Sequence, residues 1–279
     1  MVTLSRVAVV KGSRSHEPVF RALDLINFKA AFMGFKRVLI KVNFINTQTW
    51  DTGATTDPIV VEAIILKLKS LPVEIQIVES DATVTNATKA FKATGMAEMC
   101  ERNNVEWVNL KDLTEKVDIP IEDGLTLKKI TIPRLVKESA IISAAKMKTH
   151  IATKVTLGMK NMFGLLPDKL KFKYHLKGIS KVVVDINTVL RSALTVIDGF
   201  VAMEGKGPTN GNPVQMDTII AGVDPVATDA TASRVMGFDP HTISHIRRAY
   251  EKNLGEMDHI EIVGDGIEAV MKLFKKAKK

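Results

Sequence analysis

Short β-branched runs alternate along this chain with segments whose apolar positions recur at helical spacing. Residues 6–10 (Arg-Val-Ala-Val-Val) read as a strand, and residues 18–33 as a helix stopped by Gly34. A second strand at 37–44 carries Val38, Leu39, Ile40 and Val42, and a polar loop follows at 46–56. Asp57 then stands as N-cap to a helix with Pro58 at its first position. The carboxylate can accept an orphan backbone N–H there, and proline has none to lose. Residues 73–78, 86–103 and 105–110 continue as strand, helix and strand. This alternation predicts an α/β fold: a mainly parallel sheet covered by helices.

The rhythm changes after residue 112. Runs at 117–121 and 126–132 flank Glu122-Asp123-Gly124, a hairpin signal because glycine accepts the positive φ of a tight turn. An apolar strand at 141–145 leads into a lysine-rich stretch, then a helix at 179–190. Strands at 194–197 and 218–221 end in Asp198-Gly199 and Asp224-Pro225. A helix at 226–236 closed by Gly237, a helix at 242–253, a strand at 260–263 and a terminal helix from Ile267 complete the pattern. The change of rhythm predicts two lobes meeting at a cleft: an N-terminal α/β lobe (1–111), a hairpin boundary (112–135) and a C-terminal α/β lobe (136–279) carrying the lysine- and glycine-rich segments.

Composition narrows the function classes. With 279 residues, 46% hydrophobic and 25% charged, the chain can bury a sizeable core. Its single cysteine, Cys100, excludes an internal disulfide and leaves no cysteine set for an iron–sulfur cluster or a four-cysteine zinc site. No apolar stretch approaches the roughly 20 residues that span a bilayer, and the first residues lack a secretion-signal pattern. A cytoplasmic protein without a membrane partner is the expectation.

Charge changes the picture more. Between residues 146 and 181 there are nine lysines and one acid, Asp168, an excess equal to the net +8 of the whole chain. So concentrated an excess repels itself unless it is splayed into water or faces an anion. The stretch begins as Lys146-Met147-Lys148-Thr149-His150, directly after the apolar strand. If that strand continues, Lys146, Lys148 and His150 share one face, at the strand end where open α/β sheets bind ligands. Thr153 is placed to cap a following helix through Lys154, Met159 and Phe163, with Lys160-Asn161 two turns on.

Further candidates come from later segments. Asp198-Gly199 and Glu204-Gly205-Lys206-Gly207-Pro208 combine two carboxylates with a loop whose glycines allow close backbone approach. Asp229 sits one turn inside a small-residue helix capped by Asp224. Asp198, Glu204 and Asp229 are the candidate ligands for a divalent metal ion, or the counter-charges of the lysines. Lys41-Val42-Asn43 and Glu79-Ser80-Asp81 end two N-terminal strands in comparable places. His241 and His245 have helical metal-pair spacing but no third ligand, and read as surface positions. Lys171-Phe172-Lys173-Tyr174-His175 reads as an amphipathic edge with its rings packed inward.

Four of these segments, in order, carry a resemblance: Lys146-Met-Lys148-Thr149-His150, Lys160-Asn161-Met-Phe163-Gly164, Asp198-Gly199 with Glu204-Gly205-Lys-Gly207-Pro208, and Asp224-Pro225-Val-Ala227-Thr-Asp229. Together with Lys41-Val-Asn43 and Thr56-Asp57-Pro58, they resemble the family catalogued as domain of unknown function 362, from about residue 37 to 265. Some members carry a ferredoxin-like module, which this one-cysteine chain lacks. The family is distantly similar to nickel-pincer lactate racemases, a fold-level analogy that says little about reaction.

The leading reading is an enzyme that holds a small phosphorylated or carboxylated molecule in a Lys/His/Asp-lined cleft. Lys146, Lys160, Asn161, Asn43, Gly205 and Gly207 bind the substrate; His150 serves as general acid–base, and Lys148 helps to hold the anion and is the second catalytic candidate. The neighbouring lysines lower one another's pKa so that one of them acts as base or imine-forming nucleophile. Two rival readings stand beside it. One is a nucleic-acid-binding protein using 146–181 and the 275–279 tail, in keeping with a pI of about 9.4. The other is a non-catalytic accessory protein docking an acidic or iron–sulfur partner.

Overall fold

The computed structural model describes residues 4–82 and 85–277. In chain order its strands and α-helices are β1 (Ser5–Lys11), α1 (Glu17–Leu25), β2 (Arg37–Lys41), α2 (Pro58–Leu68), β3 (Glu74–Glu79), α3 (Ala87–Ala93), α4 (Met96–Asn103), β4 (Glu106–Asn109), β5 (Lys116–Pro120), β6 (Lys129–Pro133) and α5 (Arg134–Lys137). There follow β7 (Ala140–His150), β8 (Lys154–Thr156), α6 (Gly158–Asn161), α7 (Phe172–Leu176), α8 (Ile179–Val189), β9 (Leu194–Glu204), β10 (Asn212–Gly222), α9 (Pro225–Val235), α10 (Ser244–Glu251) and β11 (Ile260–Gly264).

The fold is α/β. One nine-stranded mixed sheet has the order β11-β1-β10-β9-β7-β2-β3-β4, with β8 paired to the far end of β7, and β5-β6 form a separate hairpin. The steps β9-β7-β2-β3-β4 are parallel, as is β1-β11, whereas β10 runs antiparallel to both its neighbours. Helices cover both faces. One face packs α1, α2, α3 and α4 through residues such as Leu23, Ile64 and Phe91. The other packs α6, α8, α9, α10 and the hairpin through Met159, Val183, Ala230, Ile246 and Ile130.

One sheet runs through both parts of the chain. Val38 to Lys41 pair in register with Ala140 to Ser143, so hydrogen bonds cross the boundary expected at 112–135. β1, from the N-terminal part, lies between β10 and β11. The two halves therefore share both cores, and the cleft is a crevice at strand ends.

Several elements differ in extent. The helix expected at 18–33 ends at Leu25, where Asn27 turns left-handed (φ 50) ahead of a 3-10 turn. The one expected at 86–103 breaks at Gly95 (φ 77), which starts α4. Thr153 caps no helix, because β8 folds back antiparallel on β7 first. β9 continues past Asp198 to form a long hairpin with β10, which moves Asp198-Gly199 from a strand end into a strand interior. Among the described residues the chain after Ile267 forms no regular helix; it runs as a strap, with Lys272 N and Phe274 N donating to Val235 O and Met236 O. Among the described residues no helix is long and apolar enough to cross a membrane.

Candidate functional site

Parallel strands β2, β3 and β7 point their carboxyl ends the same way, and the chain leaves each of them to form one crevice. A cavity of about 400 Å³ lies there. Lys41 and Asn43 line it from the end of β2, Glu79 and Ser80 from β3, and His150 from β7. Lys160, Asn161, Lys171 and His175 come from the segment folded over the strand ends, and Phe44, Ile45, Phe163 and Phe172 supply apolar wall.

Lys41 follows two core residues of β2 and is only 1% exposed. Its ammonium is fully engaged: Nζ donates to Val42 O at 2.6 Å, to the Glu79 carboxylate at 2.7 Å and to Asn161 Oδ1 at 3.3 Å. Glu79 accepts in addition from Phe44 N at 3.1 Å and Ser80 N at 2.9 Å. Burial pushes the Lys41 pKa down, and the Glu79 charge opposes that shift. The pair needs Gly164, since a side chain there would collide with Lys41 Nζ and the Glu79 carboxylate.

Asn161 is a latch across strands. Its Nδ2 donates to Lys41 O at 3.0 Å and Ser143 Oγ at 3.1 Å, and its Oδ1 accepts from Asn43 Nδ2 at 3.0 Å. Asn43 Oδ1 is left buried without a partner. Thus Asn161 positions the wall, whereas Asn43, also on the wall, keeps an unpartnered buried acceptor.

Neither of the remaining cations forms an ion pair among the described residues. Lys171 is 6% exposed and donates to Ser80 Oγ at 2.7 Å. Lys160 Nζ stands 4.8 Å from the Phe163 ring centroid and forms neither hydrogen bond nor ion pair among the described residues. Burial, assisted for Lys160 by the Lys41 charge, pushes both pKa values down to about 8. His150 is pushed down to about 2, first by burial and then by Lys160 and Lys148. Its Nδ1 accepts from Ala152 N at 3.0 Å and Thr153 N at 3.3 Å, so the neutral ring carries its proton on Nε2. His150 is thereby a hydrogen-bond donor, which alters the general acid–base role expected from its unperturbed pKa.

The expected site residues divide by location. Lys146, Lys148 and His150 alternate along β7, but the pairing with β9 shifts register between Lys146 and Lys148, and of the three His150 lines the cavity. Lys146 pairs with Asp198 at 2.8 Å, both fully buried. Asp198 also accepts from Asp57 N, and Asp57 is gripped by Arg14 at 2.6 and 2.9 Å. Lys148 donates to Ala54 O at 2.5 Å behind the cavity wall, and burial with the Lys160 and Lys146 charges holds its pKa well below the usual amine range.

The three acids expected to bind a metal do not meet. Asp198 serves Lys146. Asp229, pushed up to about 7 by burial, accepts from Gly158 N at 2.7 Å and Met159 N at 2.9 Å at the start of α6. Glu204 accepts from Lys275 N at 2.8 Å. No group of three metal-binding side chains is close enough to hold an ion among the described residues. Gly205 and Gly207 line no part of the cavity; they pack on the end of β7, where Thr149 Oγ1 donates to Gly205 O and a side chain at Gly207 would strike Thr149 O.

Some readings miss what the fold makes of a residue. Lys171 and His175, taken as an amphipathic edge, line the cavity, and of the two rings beside them Tyr174 packs inward while Phe172 is 63% exposed. His245 is fully buried with both ring nitrogens unpartnered, not at the surface, and burial pushes its pKa down to about 3. The basic run splits: Lys146, Lys148, Lys160 and Lys171 turn inward, and Lys154, Lys169, Lys173, Lys177 and Lys181 face water. The last two lysines of the 275–279 tail lie outside the described residues. The Lys41–Glu79 pair had a legible signal, opposite charges ending two adjacent apolar strands.

Comparison with known proteins adds a family. The model for a domain of unknown function, DUF362, matches residues 38–234, which contain every lining residue of the cavity. A thylakoid-associated protein of Synechocystis is 31% identical over 120 residues. That stretch is 39% of this chain and 37% of the cyanobacterial protein, so the chain spans well under half the length of this relative.

Proposed function

The chain belongs to the domain of unknown function 362 family, and for this member we propose an enzyme that binds a small phosphorylated or carboxylated substrate at the ends of β2, β3 and β7. The observation that carries this reading is a charge imbalance in a confined space. Lys41, Lys160 and Lys171 face one cavity whose sole carboxylate, Glu79, is already bound to Lys41. Unpaired ammonium groups out of bulk water are costly, and an incoming anion offsets that cost.

Lys160 and Lys171 hold the anion, the Nε2–H of His150 donates to it, and the free Oδ1 of Asn43 accepts from a substrate hydroxyl or amide. Phe44, Phe163 and Phe172 take an apolar portion. A cytoplasmic setting is part of this reading.

The test is thermal and calorimetric titration with inorganic phosphate, pyrophosphate and small dicarboxylates. A ligand at a hundredfold excess over its Kd stabilises the fold by about 2.7 kcal/mol. Phosphate stabilisation that persists undiminished in Lys171→Met would remove the cavity as its site.

A further inference from the structure

Four lysines of the basic segment turn inward, and three of them are bound to protein acceptors: Lys146 to Asp198, Lys148 to Ala54 O and Lys171 to Ser80 Oγ. Lys160 alone of the four has its donors unengaged among the described residues. Its amine stands in the cavity against the Phe163 ring face, on a short helix held by Asp229 through Gly158 N and Met159 N. A structural lysine is bound at its tip; a solvated one points into water. Lys160, half-buried, has only the Phe163 ring face at its tip, which leaves its nitrogen open to a ligand.

We propose that the cavity accepts an anionic carbonyl compound, an oxo acid or a phosphorylated aldehyde, and that Lys160 Nζ joins its carbonyl carbon as an imine. This rests on the anion-binding reading above: Lys171 keeps the anionic group while Lys160 meets the carbonyl. The Nε2–H of His150, on the same cavity, is a donor for the carbonyl oxygen. A pKa lowered to about 8 leaves about a tenth of the Lys160 amine neutral at pH 7, enough to start the addition.

The step balances without an oxidant or reductant. The nitrogen lone pair forms the C–N bond as the C=O π pair moves to oxygen, and the nitrogen gives up a proton to that oxygen. With a second proton from solvent the oxygen leaves as water, so amine and carbonyl become protonated imine and water. Loss of that proton to solvent restores neutrality.

The probe is pyridoxal 5′-phosphate, an aromatic aldehyde carrying a phosphate, added to the whole protein at limiting concentration and trapped with sodium borohydride. Peptide mapping should find the reduced adduct on Lys160 at tenfold or greater excess over the exposed Lys173 and Lys177. Inorganic phosphate should suppress it. Lys160→Arg, which keeps the cation but has no amine to condense, should lose the adduct.

Adduct spread evenly over exposed lysines, or carried by Lys171, with phosphate stabilisation intact, overturns the imine and leaves the anion site standing. Absence of both adduct and phosphate stabilisation overturns the anion site, and the imine with it. Should Lys160→Arg fail to fold, the site distribution in the unmodified protein and its competition by phosphate still decide the matter.

Discussion

Two clusters of charge sit beside β7, one on each face of the sheet, and they are built differently. On the face covered by α1 and α2, Lys146 and Arg14 meet Asp198 and Asp57: two cations, two acids, every carboxylate oxygen accepting. On the face covered by α6, Lys41, Lys160 and Lys171 meet one acid, Glu79. The first cluster is balanced and closed. Its Lys146–Asp198 pair couples two neighbouring strands, and Asp57 fastens the start of α2 to them. The second has surplus positive charge and an opening. Inward-turned lysines thus serve a fold in one place and await a ligand in the other, and the count of opposing acids tells them apart.

The sharpest way to break that comparison is to delete one lysine from each cluster. Lys146→Met strands the fully buried Asp198 and should lower unfolding free energy by about 3–5 kcal/mol in urea titration. Lys171→Met loses one bond to Ser80 but relieves repulsion, and should stay within about 1 kcal/mol of the parent. In ligand titrations the order reverses: Lys171→Met abolishes phosphate binding, and whatever Lys146→Met protein folds retains it. Equal stability losses in the two variants would end the distinction.

Gly164→Ala probes the one balanced pair inside the open cluster. The added methyl collides with Lys41 Nζ and Glu79, so the pair must move apart or the 162–165 turn must lift. Overpacking of this kind costs about 1–3 kcal/mol. Displacing Lys41 from Glu79 also changes the charge that a ligand meets, so phosphate affinity should shift tenfold or more. An unchanged affinity would place the anion away from Lys41.

How far the sequence reveals these clusters depends on range. The helix caps at Asp57 and Asp224 are legible because the carboxylate, the following proline and the first N–H groups are neighbours in the chain. The alternation of Lys146, Lys148 and His150 is legible because a strand repeats every two residues. Which of the three reaches a cavity depends on what packs against β7. Lys146 meets Asp198 because β9 lies beside it in register, a fact of sheet order that no local pattern carries. Likewise the grouping of Asp198, Glu204 and Asp229 fails because β9 and β10 continue as one long hairpin that carries Glu204 to the terminal strap. Asp229, meanwhile, is spent on the amides of α6. The pairing of β2 with β7 across the change of rhythm is likewise a fact of sheet order.

The finest contrast between the clusters is their response to pH, and it has a definite sign. Lys160 and Lys171 titrate near 8 in the folded protein and near 10.5 when unfolded. Between those values the unfolded chain binds more protons, so the ligand-free fold gains stability as pH rises from 8, and below 8 the contribution is constant. Cys100 acts oppositely, since burial holds its thiol up to about 12, but it is common to parent and variant and cancels in their difference. From pH 7.5 to 9.5 the parent should therefore gain about 1–2 kcal/mol relative to Lys171→Met. Phosphate binding should weaken over the same interval, because it needs the ammonium form that the fold is shedding. Opposite slopes from one pair of lysines are the signature of an anion site held open by its own charge; parallel slopes would assign the titration to groups elsewhere.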